Sequence, residues 1–349
     1  MTRPKADQKA PGSFRDPSGF LFCRDGVLYR QVNKCYRSEY DLLMNSGCYH
    51  SLVDAGLLVA HSEEGIEPTI GEEGFRIIKP DLIGFVSYPY EWSFSQLKDA
   101  ALTTIRIQKK ALEFGMSLKD CSAYNVQFSK GKPVFIDTLS FEKYARGKPW
   151  MAYRQFCQHF LAPLALMSYT DVRLSQLLRI YMDGIALDLA SSLLPIRARL
   201  KFSLLTHIFV HARSQRHFED RKVSSGRYKL SELSFRGLID SLESAIRRLK
   251  WRPEGTEWGE YYDDTNYSSC ANEHKRRLVE QFCDRVNPKN VWDLGSNTGT
   301  FGRIAASKGI QTVCFDIDPA AVEKNYLSCI EEGQTNVLPL LVDLRNPSG

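Results

Sequence analysis

No apolar run in this sequence approaches the ~20 residues that a membrane-spanning helix needs, so neither a transmembrane segment nor a membrane partner is expected. The opening, Met1-Thr2-Arg3-Pro4-Lys5, is polar and lacks an apolar core. That excludes a secretory leader and leaves a frayed tail over residues 1–17. Paired cysteines are missing as well. The nine that occur are scattered, odd in number and without a C-x-x-C, which argues against a disulfide framework or zinc site and for a reducing, cytoplasmic setting. Charge of one sign is scarce in excess: a net +5 over 349 residues does not by itself indicate a nucleic-acid partner. Internal repeats and low-complexity blocks are absent. With 43% hydrophobic and 25% charged residues, the chain has the composition of globular domains, and its length suits two or three.

What is present is concentrated near the C-terminal end. Val291–Asp318 reads as strand, glycine turn, helix and strand, with Gly295, Asn297 and Gly299 supplying a turn that can reach positive φ. Asp318 as N-cap and Pro319 at the first helical position start a second helix, and Val337–Val342 is a third apolar strand. This β-α-β-α-β order is half of a doubly wound sheet, whose ligands lie at the carboxyl ends of the strands. A dinucleotide turn wants G-x-G-x-x-G, but Asn297 stands where the second glycine belongs. Asp293, at the mouth of the turn, would repel a pyrophosphate and suits a ligand with an ammonium and a cationic centre. Asp316 is placed to accept both hydroxyls of a ribose, and Asp343 to meet an adenine amino group. A nucleoside with a cationic tail fits these acids, which is the chemistry of S-adenosylmethionine. An NAD site and an ordinary α/β turn with exposed strand-end acids are the competing readings.

The stretches D-L-G-S-N-T-G, F-D-I-D-P and L-L-V-D-L resemble motifs I, II and III of class I S-adenosylmethionine-dependent methyltransferases, over roughly residues 255–349. The resemblance implies that Asp293, Gly295 and Gly299 line the methionine part, with Asn297 in the same turn, Asp316 at the ribose and Asp343 at the adenine edge. Such folds normally carry more strands, yet the sequence stops at Asn346-Pro347-Ser348-Gly349. The expectation is a fragment, or a truncated product whose activity is open, without the fourth-strand motif that usually grips the acceptor. An aromatic stretch before the first strand often folds over the cofactor in this family. Tyr262, Tyr267 and Lys275 are therefore lid candidates, with Lys275 facing a carboxylate; packing of the leading helix on the sheet is the other reading for the tyrosines.

Upstream, Phe20–Cys23 and Val27–Val32 are expected as a hairpin about Asp25-Gly26. Ser38–Ala55 is expected as one helix, Phe75–Ile78 and Ile83–Ser87 as strands, and Ser95–Phe114 as a long amphipathic helix. Asp120 and Asn125 then stand in D-x-x-x-x-N spacing, and Asp137 ends a strand. In a phosphotransferase the first Asp takes the acceptor proton, while the Asn and the second Asp hold Mg²⁺ with ATP. The order of elements over residues 18–145 resembles protein kinases and aminoglycoside phosphotransferases. Departures are plain: Leu118 replaces the usual His, no glycine-rich phosphate loop exists, and Arg30 occupies the second hairpin strand in place of Lys. A phosphotransferase using Asp120, Asn125 and Asp137, a scaffold of kinase-like shape, and mere turn caps all stay open.

Residues 146–253 read as a helical connector with stretches at Tyr153–Ser168, Val172–Asp183, Ile185–Leu194 and Ile196–Ala212. Arg213–Lys229 is basic and broken by Ser-Ser-Gly, hence a flexible loop. Residues 254–349 form the cofactor-binding half. The fold class is thus α/β: a kinase-like α+β module with a helical extension, then an incomplete Rossmann-like methyltransferase domain. With Y-P-Y-E-W-S-F-S-Q-L-K-D-A-A-L and Y-R-Q-F-C-Q-H-F-L-A-P-L, the whole resembles the large bacterial methyltransferases described as nodulation-protein-like. The resemblance implies methyl transfer from S-adenosylmethionine to a small-molecule or polymer acceptor that the residues do not identify. A non-catalytic binding or scaffold protein is the rival.

Overall fold

The computed structural model describes residues 8–10, 13, 16–65, 73–210, 231–256 and 268–347. Asp25 and Gly26, at φ 50° and 78°, make the tight turn between β2 (Gly19–Arg24) and β3 (Val27–Asn33). With β1 (Gln8–Lys9), β4 (His61–Glu64) and β5 (Gly74–Pro80) they form an antiparallel sheet in the order β1-β2-β3-β5-β4. The helix expected over 38–55 is two, α1 (Arg37–Asn45) and α2 (Cys48–Asp54). Gly47 at φ 84° breaks them, since a left-handed residue cannot continue a right-handed helix.

The expected strand at Ile83–Ser87 does not form. Backbone groups of Ser87 are taken by a side chain instead: the Gln127 amide accepts its N–H and donates to its carbonyl, both at 2.9 Å. Phe85 is thereby free to pack on Trp292 and Phe315, each with its ring centroid 5.9 Å away. Ser93 and Gln96 cap one another at the start of α3 (Phe94–Glu113), which is the central helix of the N-terminal half. Two antiparallel pairs follow, β6 (Met116–Leu118) with β9 (Phe141–Lys143), and β7 (Val126–Ser129) with β8 (Lys132–Phe135).

In the middle, α4 (Tyr153–Phe156) runs through a π-helical turn into α5 (Ala162–Tyr169). Beyond it the long helices expected are short pieces: α6 (Leu177–Ile180), α7 (Leu187–Leu193), α8 (Ile196–Arg199) and α9 (Phe202–Leu204). Asp171 caps a 3₁₀ turn at Val172–Gln176, and Pro195 separates α7 from α8. The basic stretch 213–229 lies outside the described residues. Ser231 then caps α10 (Glu232–Arg248).

The C-terminal order matches the expected β-α-β-α-β. Ser268 caps α11 (Ser269–Val286), followed by β10 (Asn290–Leu294), α12 (Gly302–Ser307), β11 (Gln311–Asp316), α13 (Pro319–Glu331) and β12 (Val337–Leu341). The three strands are parallel in the order β10-β11-β12. Among the described residues β10 pairs only with β11, and its Trp292 is 63% exposed.

The chain has one principal core, not one per half: Leu97, Ile105 and Phe128 belong to the same cluster as Val313, Phe315, Tyr326 and Leu340. Gln96, fully buried, donates to the Pro339 carbonyl of edge strand β12 at 3.0 Å. Tyr326 donates to Asp99 at 2.8 Å, and both the N–H and hydroxyl of Ser95 donate to Glu323. The Glu323 carboxylate thus serves the first turn of α3 from a helix 228 residues away in sequence. Burial pushes the Glu323 carboxyl up, against the donors from Ser95 and Ser93. A carboxyl raised in the folded state favours folding below its unfolded pKa and loses that contribution as pH rises through the folded value. Glu323→Gln removes the charge, while its amide oxygen can accept from the Ser95 N–H and its NH₂ donate to the Ser95 hydroxyl, which can turn to accept. It is accordingly expected to melt above the parent at pH 7. Thermal melts over a pH series should show that advantage vanish near and below pH ~4, where the unfolded carboxyl is also protonated.

Candidate functional site

Where the three parallel strands end, the described residues enclose a cleft of about 1420 Å³. That exceeds the ~300–1,000 Å³ usual for a small-ligand site, so a second reactant has room beside the first. Its floor is the turn after β10. Gly295 and Ser296 donate to the Phe315 carbonyl at 2.9 and 3.0 Å, pinning the turn to β11. Gly295, Asn297 and Gly299 take φ 76°, 49° and 81°, as their spacing predicted. Gly295 and Asn297 line the cleft, whereas Gly299 does not. A Cβ on Gly299 would fall 2.4 Å from the Asn325 Oδ1, so that glycine lets α13 approach the turn.

Asp316, 8% exposed, accepts from the Asn297 N–H through Oδ2 at 2.7 Å and from the Asp318 N–H through Oδ1 at 2.9 Å. Each oxygen keeps lone-pair capacity for a ligand hydroxyl. Asp293 is the most telling group. Its Oδ2 is buried with no hydrogen-bond partner among the described residues, and burial pushes its carboxyl up, opposed by the Gly302 N–H and Lys275. Oδ2 lies on the Gly302 side, 3.1 Å from where a Cβ on that glycine would fall, while the residue itself lines the cleft and leaves its carboxylate within reach of Lys275. Lys275, on the opposite wall, holds its Nζ 4.0 Å above the Phe301 ring.

Asp343 lines the cleft, but its setting differs from the expected open acceptor. Arg345 donates to its Oδ1 from backbone N–H and Nε, at 3.0 and 3.1 Å, and to Oδ2 from Nη2 at 3.1 Å. The guanidinium holds the Asp343 carboxyl below the usual range. Tyr262 and Tyr267 lie outside the described residues. The second wall, made by Asp171, Arg173 and Trp251 from the helical middle and Thr256 just beyond it, has no counterpart in the sequence reading. Thr256 donates to the capping carboxylate of Asp318 at 2.7 Å, joining that wall to the start of α13. Local pattern marks Asp318 as a helix cap but gives no sign of Thr256, its partner 62 residues away.

The kinase-like trio is brought together around β7–β9 but is engaged by its neighbours. Arg30 pairs with Asp137 at 2.6 Å, the Leu139 N–H donates to it at 3.0 Å, and the Ser140 hydroxyl donates to its Oδ2. Asn125 donates to Ser140 at 3.3 Å, and Asp120 accepts from the Ser122 N–H at 2.9 Å. The cation that a metal would supply at Asp137 is already present as a guanidinium, itself 14% exposed.

No protein-family model matches the chain. Nodulation protein NoeA of Rhizobium meliloti (strain 1021) is 33% identical over 350 residues, spanning 97% of this chain and 72% of that protein. Among solved structures, vaccinia related kinase 3 aligns with a TM-score of 0.35 and 10% identity, covering 71% of this chain and 88% of that one. That likeness is too loose to fix a fold.

Proposed function

The chain belongs to the family of nodulation protein NoeA, and from that premise we propose that it binds S-adenosylmethionine in the cleft and transfers its methyl group. The gathering of Asp293, Asp316 and the Gly295–Asn297 turn in one cleft at the strand ends carries this reading, because two carboxylates there suit a cationic amino-acid tail and a ribose diol. Bound, the cofactor supplies an electrophilic methyl; the protein's part is to hold and orient. Gly295 and Asn297 keep the turn low beneath the ligand, and Asp316 offers one lone pair per oxygen to a ribose diol. Lys275 faces the carboxylate of the amino-acid portion. A cleft larger than one small ligand leaves the acceptor space against the Asp171–Arg173 wall, and alignment of the two reactants is the source of rate. The relative is named for nodulation, and an acceptor from that process is part of the proposal. Mg²⁺-dependent phosphoryl transfer through Asp120, Asn125 and Asp137 is disfavoured by the Arg30–Asp137 pair.

Calorimetric titration with S-adenosylhomocysteine tests the proposal: micromolar binding is expected, and a folded chain that takes up none overturns it. Gly299→Ala should lower that affinity at least about tenfold, since positive φ and the contact with Asn325 both oppose a Cβ. Its circular dichroism should stay at parental levels.

A further inference from the structure

Across α8, α9 and the π-helical turn Leu205–Val210, the chain forms a ridge whose outward side chains are apolar and basic by turns. Ala198, Leu204 and Ile208 are buried and anchor it, while Ile196, Leu200 and Phe202 stand out at 78%, 82% and 79% exposure. Arg197, Arg199 and Lys201 lie between them and are exposed as well. Single exposed apolar residues are ordinary, but three large ones within seven positions, interleaved with three cations and no acid, are a surface in search of a partner. A protein partner of mixed charge would leave some cations unmatched. An anionic bilayer meets both demands at once: its acyl boundary takes the aliphatic and aromatic tips, and its headgroups take the guanidinium and ammonium groups.

We propose that the ridge of Ile196, Arg197, Arg199, Leu200, Lys201 and Phe202 is a docking surface for an anionic lipid bilayer. Among the described residues no helix is long and apolar enough to cross a membrane, so the contact is peripheral. The ridge is tied to the wall of the cleft: Arg197 donates to the Tyr169 carbonyl at 2.9 Å, and Thr170 to the Leu193 carbonyl at 3.2 Å. Asp171 and Arg173, which follow directly, line the cleft. Docking would therefore bring the mouth of the cleft near the headgroup plane, whatever reaction occurs there.

Co-sedimentation of the full chain with two vesicle types tests the proposal: phosphatidylcholine alone, and phosphatidylcholine mixed with phosphatidylglycerol. Binding to the mixed vesicles should be at least about tenfold tighter and should weaken with salt. Leu200→Glu with Phe202→Glu should abolish it at unchanged circular dichroism. Arg197→Gln, Arg199→Gln and Lys201→Gln together should remove the preference for anionic lipid. Failure to bind either vesicle, or binding that ignores the glutamates, overturns the proposal. So does a lipid-free dimer in sedimentation velocity that the same glutamates dissociate, because the ridge would then be an interface between copies.

Discussion

Asp316→Asn is expected to weaken S-adenosylhomocysteine binding by about a hundredfold. Two hydroxyl-to-carboxylate bonds at ~1.5–3 kcal/mol each are at stake, and each 1.4 kcal/mol is roughly a factor of ten. The amide also disturbs the floor of the site. Asp316 receives one backbone N–H on each oxygen, from Asn297 and from Asp318, and an asparagine can accept only one of them. The turn and the start of α13 are thus set against each other. Asp343→Asn is the control with a small expected effect, because both oxygens of Asp343 are already held by Arg345. Isothermal titration of the three proteins decides the matter. Parental affinity in Asp316→Asn would remove the ribose from the assignment.

Tyr326→Ala is expected to cost the fold about 3–5 kcal/mol from the cavity alone, in the range for large-to-small changes of buried aromatics. Its ring meets Phe128 at 6.0 Å between centroids, and its hydroxyl is the donor to Asp99, whose carboxyl burial already pushes up. Losing that donor leaves a half-buried acid unsupported and adds about 1–3 kcal/mol. Because the core is continuous across the two halves, both should fail together. Tryptophan fluorescence and far-ultraviolet circular dichroism should give one coincident transition, shifted to lower denaturant, for parent and variant alike. Two separated transitions in the parent would mean that the halves are independent, contrary to the packing of α3 on α13.

The parts of the molecule legible in the sequence are those whose causes are local. Asp318-Pro319 announces a helix start that is capped as expected, with Asp318 accepting from Ala320 and Ala321. The acid–glycine spacing from Asp293 to Gly299 gives the turn, and the apolar runs give three parallel strands in order. What could not be read was set by distance. Ile83–Ser87 is apolar enough for a strand, yet Gln127, 40 residues on, takes both backbone groups of Ser87. Asp137 reads like a metal ligand until Arg30 arrives from a different sheet. Asp343 reads like a free acceptor, but Arg345 two residues later folds back on both of its oxygens. The second wall of the cleft and the Glu323–Ser95 link each rest on one pair of residues far apart in the chain.

The two outer strands of the parallel sheet face water on very different terms. The Gln96 amide closes on a carbonyl of β12, and α3 lies against that side. Along β10 no second strand is laid down among the described residues, and Trp292 and Leu294 are more than half exposed beside that edge. Such a rim is a template on which any extended segment gains a ladder at once. Crowding, heating or partial unfolding of a neighbour would start association there first.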